Sequence, residues 1–407
     1  MKRIIGLAAS VSMLATAAYA DIKIAFLDTL SGPTGPVAEN GLTTFQLAAE
    51  HINAAGGING EPVEIKVYDN GGTSDGTVIQ LQKAIDDGAR YVMVANGSAL
   101  AAALLDGVNK HNTRNPGEEV LYFNWGASAP ELTNENCSYW HFRFAAHSGM
   151  AVNALTDFVK NRPEIRKVYL INQDYVFGRS VMEAAIAQLK DKRPDVEIVG
   201  NELHPLSKVQ DFTPYVQKII TSGADAVITG NWGQDMVLLV KAAADSGAKM
   251  PFLTVFGGSR GTIAALGEAA VGKLHFVNEG TNNMDVPEEQ ASLVAEYKER
   301  FPQYDYLYHR NATLLYMLKK AAEQAGSTDP LAVAKALEGL AFDDAYGPVT
   351  MRASDHQLQT NLYVSVVADD VKVTSDGTGY GWKLVDGGEV TAADAEMPTT
   401  CKMERPQ

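Results

Sequence analysis

The chain has 407 residues and a formal charge of −15, with 49 acidic against 34 basic side chains. That balance excludes nucleic acid and anionic lipid surfaces as natural partners. The length exceeds what one hydrophobic core usually serves, so two domains are expected.

The first twenty residues read as a targeting segment. Lys2 and Arg3 form a basic start, Ile4 to Ala17 an apolar stretch, and Ala18-Tyr19-Ala20 a cleavage site of small residues. A mature chain beginning at Asp21 would carry −17 and act outside the cytoplasm. No later stretch is apolar for the roughly 18 residues that a membrane span needs. Two cysteines, Cys137 and Cys401, would then face an oxidising compartment. One disulfide between them is expected, with two free thiols as the alternative.

From Asp21 onward, strand and helix patterns alternate. Strands are expected at Ile22–Leu27, Val63–Asp69, Tyr91–Ala95 and Val120–Phe123, with helices at Glu39–Asn53, Ser74–Asp87 and Ser98–Lys110 between them. Ser98 suits the N-cap of its helix. After a break at Phe142–Phe144 a second series begins. Its strands are Lys167–Asn172, Val196–Glu202, Ala226–Thr229, Phe252–Val255 and Leu274–Val277. Its helices are Met150–Lys160, Ser180–Lys190, Thr213–Ser222 and Asp235–Ser246. Helices follow near Pro287–Arg300, Leu307–Gly326 and Asp329–Leu340, then a strand at Leu362–Val367 and a Gly/Asp-rich tail of hairpin character. Repeated strand–helix units with short loops imply parallel sheets covered on both faces, in two lobes of similar α/β fold.

The run Tyr122-Phe-Asn-Trp-Gly-Ala-Ser-Ala-Pro130 carries the first functional signal. A buried strand runs straight into Gly126, Ala127 and Ser128, small residues that let backbone N–H groups approach a ligand closely. Such a turn suits a carboxylate. Signals for chemistry are missing: there is no G-x-S-x-G elbow, no phosphate-binding P-loop, no H-E-x-x-H and no metal-type Cys/His spacing. An enzyme is therefore not expected, and neither is a cofactor or a metal.

Several short motifs, in order, resemble the periplasmic substrate-binding proteins of branched-chain amino acid ABC transporters. They are Ser31-Gly-Pro33, Ile52-Asn-Ala-Ala-Gly-Gly-Ile-Asn-Gly60, Tyr68-Asp69, Pro130-Glu-Leu-Thr133, Asp174-Tyr-Val-Phe-Gly178, Val227-Ile-Thr-Gly230 after Asp211-Phe212, and Ala345-Tyr-Gly-Pro348. The resemblance implies two Rossmann-like lobes joined by a three-stranded hinge. The division implied is a signal peptide at 1–20, a first lobe of 21–143 plus 278–350, a second of 144–277 plus 351–390, and a tail at 391–407. The crossovers would fall near Phe142–Ala146, Val277–Thr281 and Thr350–Gln359. A small carboxylate would be enclosed as the lobes close, then passed by a monomeric protein to an inner-membrane permease. A receptor reading the closed form is the alternative partner.

The resemblance also implies contacts. Ser98, Gly126, Ala127 and Ser128 would hold the carboxylate from the first lobe. Tyr175, Phe177 and Trp232 would press on it from the second, with Tyr306, and less directly Tyr308, adding to the first-lobe side. This chain departs from the family in three ways. The family's first-lobe cysteines fall near Gly71–Gly72 and on Gly97. A proline before the carboxylate turn is Trp125, large enough to line or narrow the pocket. The second-lobe acid that pairs with an α-ammonium falls on Phe256. Either another acid, such as Asp174 or Asp235, replaces it, or the ligand has no ammonium. The ligand is then a branched-chain or hydrophobic amino acid in the first case, and an aromatic or other apolar carboxylate in the second.

Overall fold

The computed structural model describes residues 21–406; the expected targeting segment lies outside them. The first sheet is wholly parallel, in the order β2-β1-β3-β4-β5. Its strands are β1 (Ile22–Asp28), β2 (Val63–Asp69), β3 (Tyr91–Val94), β4 (Leu121–Asn124) and β5 (His141–Arg143). Every residue of β3 and β4 is buried, because helices cover both faces. Helix α1 (Gly35–Ala54) covers one face, and α2 (Ser74–Asp86) and α3 (Ser98–Arg114) the other.

The second sheet has seven strands in the order β15-β14-β10-β9-β8-β6-β7. Strands β6 (Lys167–Gln173), β7 (Glu197–His204), β8 (Ala226–Thr229), β9 (Phe252–Thr254) and β10 (Leu274–Asn278) run parallel. Helices α4 (Ser148–Lys160), α5 (Val176–Lys192), α6 (Thr213–Ser222), α7 (Gly233–Asp245) and the short α8 (Thr262–Leu266) accompany them. The chain then returns to the first lobe for α9 (Glu288–Arg300), α10 (His309–Ala325) and α11 (Pro330–Leu337). Leu314, Leu315, Met317 and Leu318 of α10 share one buried core with Ile24, Phe26, Met93 and Phe123 of the sheet. A small antiparallel sheet follows: β11 (Ala341–Asp344), β12 (Gly347–Met351) and β13 (Leu358–Gln359). Strands β14 (Leu362–Ala368) and β15 (Gly381–Val390) complete the second sheet antiparallel, and α12 (Ala392–Ala395) ends the regular structure.

Two expectations need correction. Residues 351–359, expected in the second lobe, pack with the first: Met351 and Leu358 are buried in its core and pair across β12 and β13. The third crossover therefore lies after β13, at Thr360–Asn361, rather than over Thr350–Gln359. Four helices also start earlier than expected, at Gly35, Ser148, Val176 and Gly233, because glycines that read as breakers sit in their first turns. At Gly178 a Cβ would lie 1.9 Å from the Gln173 carbonyl oxygen, so only glycine lets α5 begin there.

Two of the crossovers are tied to each other, since Ala146 N–H of the first donates to Glu279 of the second. Arg143 N–H, where the first begins, donates to the His356 carbonyl just before β13, the strand that leads into the third. The Arg143 side chain is fully buried. Its Nε donates to Gln357 Oε1 at 2.6 Å and its Nη1 to the Ala129 carbonyl at 2.6 Å, while Nη2 reaches the Thr133 hydroxyl. Burial pulls the guanidinium pKa down to about 9, still protonated at neutral pH.

The tail makes a fourth crossing. Ala395 is buried in the second-lobe core and Asn153 of α4 donates to the Asp394 carbonyl. Within the next six residues, Thr399 and Thr400 bond Thr133 and Asn134, and Cys401 forms a disulfide with Cys137, which spans 264 residues of sequence. Replacing both cysteines by serine is expected to lower stability by about 2–4 kcal/mol. Thermal unfolding of the oxidised wild type and the variant would show it; equal midpoints would mean that the other tail contacts suffice.

Candidate functional site

The carboxyl ends of the two sheets face one another across a cavity with about 580 Å³ of empty space, counting the part that meets solvent. On the first-lobe side, β3 runs into Ala95-Asn96-Gly97 before α3. Gly97 holds the cap with φ 117°, a left-handed value that favours glycine, and Ser98 is the first helical residue rather than the cap. Leu100 and Ala101 N–H donate to the Gly97 carbonyl. The N–H groups of Ser98 and Ala99 have no partner among the described residues, as at any helix start. The Ser98 hydroxyl accepts from Ala129 N–H at 3.2 Å, leaving its own proton available to an anion.

Beneath this turn lies Asp28, fully buried at the end of β1. Its carboxyl accepts N–H groups from Thr29, Ala95 and Asn96 at 2.9, 2.9 and 3.1 Å. Burial pushes its pKa up to about 7, against the downward pull of those donors.

The turn after β4 is shaped by Asn124, a residue with no signal of its own in the sequence. Its Oδ1 accepts both Gly126 and Ala127 N–H, at 3.1 and 2.8 Å, and its Nδ2 donates to the Ala127 carbonyl. Two N–H groups expected to face a ligand are therefore occupied. Ser128 N–H remains without a partner among the described residues, while the Ser128 hydroxyl donates to the Gly126 carbonyl at 2.9 Å. Trp125 reaches the cavity from the first core, where its ring stacks on Phe26 at 5.8 Å and meets Tyr308 edge-on at 5.3 Å.

The second lobe supplies an aromatic wall. Tyr175 and Phe177 stand at the start of α5, and Trp232 caps α7. Trp232 Nε1 donates to the Tyr175 hydroxyl at 2.8 Å, fixing both side chains. The rings of Phe177 and Phe256 lie 5.4 Å apart. Ser98, Trp125, Gly126, Ala127, Ser128, Tyr175, Phe177, Trp232 and Phe256 thus line one cavity.

Tyr306 does not reach it. A three-residue turn, closed by Leu307 N–H on the Asp305 carbonyl, sends Tyr306 into a packed cluster with Tyr297 and His309. Its neighbours Leu307 and Tyr308 face the cavity instead, together with Arg310. Arg310 is the feature that motif reading missed, a lone cation early in α10, far along the chain from the Gly126–Ser128 turn. It is 5% exposed, and its Nε donates to the Trp125 carbonyl. No carboxylate side chain is among the lining residues. Asp174 pairs with Arg179 at the surface, and buried Asp235 accepts from Gln173 Nε2 and Ser207 N–H. Neither replaces the acid absent at Phe256. The arrangement can hold an anion at one end and an apolar, ring-sized body at the other.

Asp28 gives the site a pH signature. Between about pH 4 and pH 7 the folded chain keeps a proton on Asp28 that the unfolded chain has released, so its contribution to stability declines as pH rises through that window. Relative to wild type, Asp28→Asn is expected to gain stability from pH 5 to pH 8, by about 2–3 kcal/mol. A difference that stays constant over that range would place the proton elsewhere.

Residues 21–372 match the family model for periplasmic binding proteins. The chain is 35% identical, over 98% of each chain, to "Leu/Ile/Val-binding protein homolog 4" of Brucella melitensis. A crystal structure of a leucine-, isoleucine-, valine-, threonine- and alanine-binding protein from Brucella ovis, in its closed conformation, superposes with a TM-score of 0.85. It is 32% identical, over 95% of this chain and all of that one. An ABC-transporter solute-binding protein from R. palustris in complex with 4-hydroxybenzoate shares the fold, with a TM-score of 0.77 at 19% identity over 91% of this chain and 97% of that one. The chain belongs to the periplasmic binding protein family, as a two-lobed substrate-binding protein of the ABC-transporter type and not an enzyme.

Proposed function

We propose that this protein captures a small apolar carboxylate in the periplasm, by closure of its two lobes, and delivers it as a monomer to the permease of an ABC importer. The observation that carries this reading is the charge pattern of the cavity. One end offers the start of α3, Ser128 N–H and Arg310, and the rest is aromatic, with no acid among the lining residues.

That pattern bears on which carboxylate. A protonated α-ammonium buried without a counter-charge costs several kcal/mol. Relatives are named for leucine, isoleucine and valine, which keeps those amino acids as the default of the class. The lining of this cavity favours instead an aromatic acid without an ammonium, whose ring would meet Tyr175, Phe177, Trp232 and Phe256. Closure follows when both lobes contact the same ligand.

Ligand-free protein is expected to be stabilised by benzoate-, cinnamate- or phenylacetate-type acids more than by leucine, isoleucine, valine or phenylalanine. A ligand at 100 times its dissociation constant adds about 2.7 kcal/mol, readable as a rise in melting temperature. Stabilisation by the amino acids alone would overturn the aromatic reading and leave the transport reading. With the best acid, Ser98→Ala is expected to weaken binding by about 1–2 kcal/mol, measured by calorimetry. Ser128→Ala should cost less, since its hydroxyl already serves Gly126.

A further inference from the structure

Arg310 stands where three constraints meet. Its Nε is taken by the Trp125 carbonyl at 2.5 Å, and its Nη1 by Glu279 Oε2 at 2.7 Å and, more distantly, by Asn278 Oδ1 at 3.5 Å. Nη2 has no partner among the described residues and faces the Gly126 turn, lying 3.8 Å from where a Cβ on Gly126 would stand. Across that turn are the unpartnered Ser128 N–H and the start of α3. The free Nη2 is held in place by the bonds at Nε and Nη1, so it offers a carboxylate a fixed, charge-assisted donor where a lysine ammonium would be mobile.

Glu279 lies behind this fork, 8% exposed, in a recess that continues from the cavity past Ser128, Phe256 and Arg310. Its Oε2 holds Arg310, and its Oε1 accepts Ala146 N–H of the first crossover. Arg310 and Glu279 thus form a buried ion pair that joins a cavity-lining side chain to two of the three hinge connections. A ligand carboxylate arriving at Nη2 shares one guanidinium with Glu279, so it draws on the bond that holds the hinge.

We infer that Arg310 is the specificity-determining contact for the ligand's carboxylate, and that Glu279 positions it and competes with the ligand for its charge. This rests on the carboxylate reading above and adds which residue recognises the anion and how occupancy reaches the hinge. Glu279 serves the arginine here, so it is not a counter-ion for an ammonium group.

The test compares acids with their amides, which share shape but not charge: benzoate with benzamide, phenylacetate with phenylacetamide, leucine with leucinamide. Calorimetry would be run on wild type, Arg310→Lys, Glu279→Gln and the double variant Arg310→Met/Glu279→Gln. The double variant matters because removing one member of a buried pair strands the other charge, whereas removing both is often tolerated. Wild type is expected to prefer an acid over its amide. The double variant should lose that preference, with acid binding weakened by roughly ten-fold or more and amide binding little changed. Arg310→Lys should keep part of the preference. Glu279→Gln should tighten acid binding several-fold, since the competing carboxylate is gone. A double variant that keeps the full acid preference would overturn the role of Arg310 and leave the carboxylate reading intact. Weaker acid or leucine binding in Glu279→Gln would overturn the role of Glu279. A wild type that prefers no acid over its amide would bring down the carboxylate reading, and this inference with it.

Discussion

A buried positive charge organises the junction between the lobes. Arg143 has no solvent and no carboxylate in hydrogen-bond contact, so its guanidinium is held by neutral oxygens: the Ala129 carbonyl, the Thr133 hydroxyl and the Gln357 amide. A cation removed from water is costly unless each donor finds an acceptor. Those acceptors come from Ala129 and Thr133, just after the Gly126–Ser128 turn, and from Gln357 just before β13. Satisfying one side chain therefore fixes the relation of that turn to the segments that lead into the first and third crossovers. Ser128 inherits this order directly, because its carbonyl accepts Ser148 N–H at the start of α4 in the second lobe.

The cavity follows from where parallel sheets end. Strand carboxyl ends and helix amino ends point the same way in each lobe, so two such lobes facing one another enclose a space rich in helix starts. The first lobe uses α3 and the Asn124-shaped turn at this rim; the second uses the first turns of α5 and α7 to carry aromatic rings. One wall is thus polar and backbone-built, the other apolar and side-chain-built. Position along the chain has little to do with membership: Asn96, Trp125, Trp232 and Arg310 meet although they come from four distant segments.

Much of this was legible in the sequence. The alternation of buried strands and amphipathic helices follows from the two periodicities of the backbone, and the strand that runs into Gly126-Ala127-Ser128 marks, by residue size, a turn that lines the cavity. Phe256 stood out because an apolar residue occupies a place where the family carries an acid. What stayed hidden depends on side-chain geometry over long sequence distances. Nothing local separates Arg310 from other helical arginines, and nothing in Asn124 shows that its amide will consume two of the N–H groups offered to a ligand. Tyr306 and Tyr308 differ only by a three-residue turn, which no pattern of apolar spacing reveals. Glycines at 35, 178 and 233 misplace helix starts because glycine signals a break and a close backbone contact equally well.

The return of the chain to the first lobe has a kinetic consequence. By residue 143 all five strands of the first sheet have been made, yet the face lined by Phe26, Met93 and Phe123 shares its core not only with α1 but with α10, whose core residues begin at Ala312. A nascent chain therefore carries a completed sheet with one face only partly covered through the synthesis of almost the whole second lobe. Contacts of such long sequence separation close late and slowly. The first lobe, though first in order, finishes folding only after the second has been made.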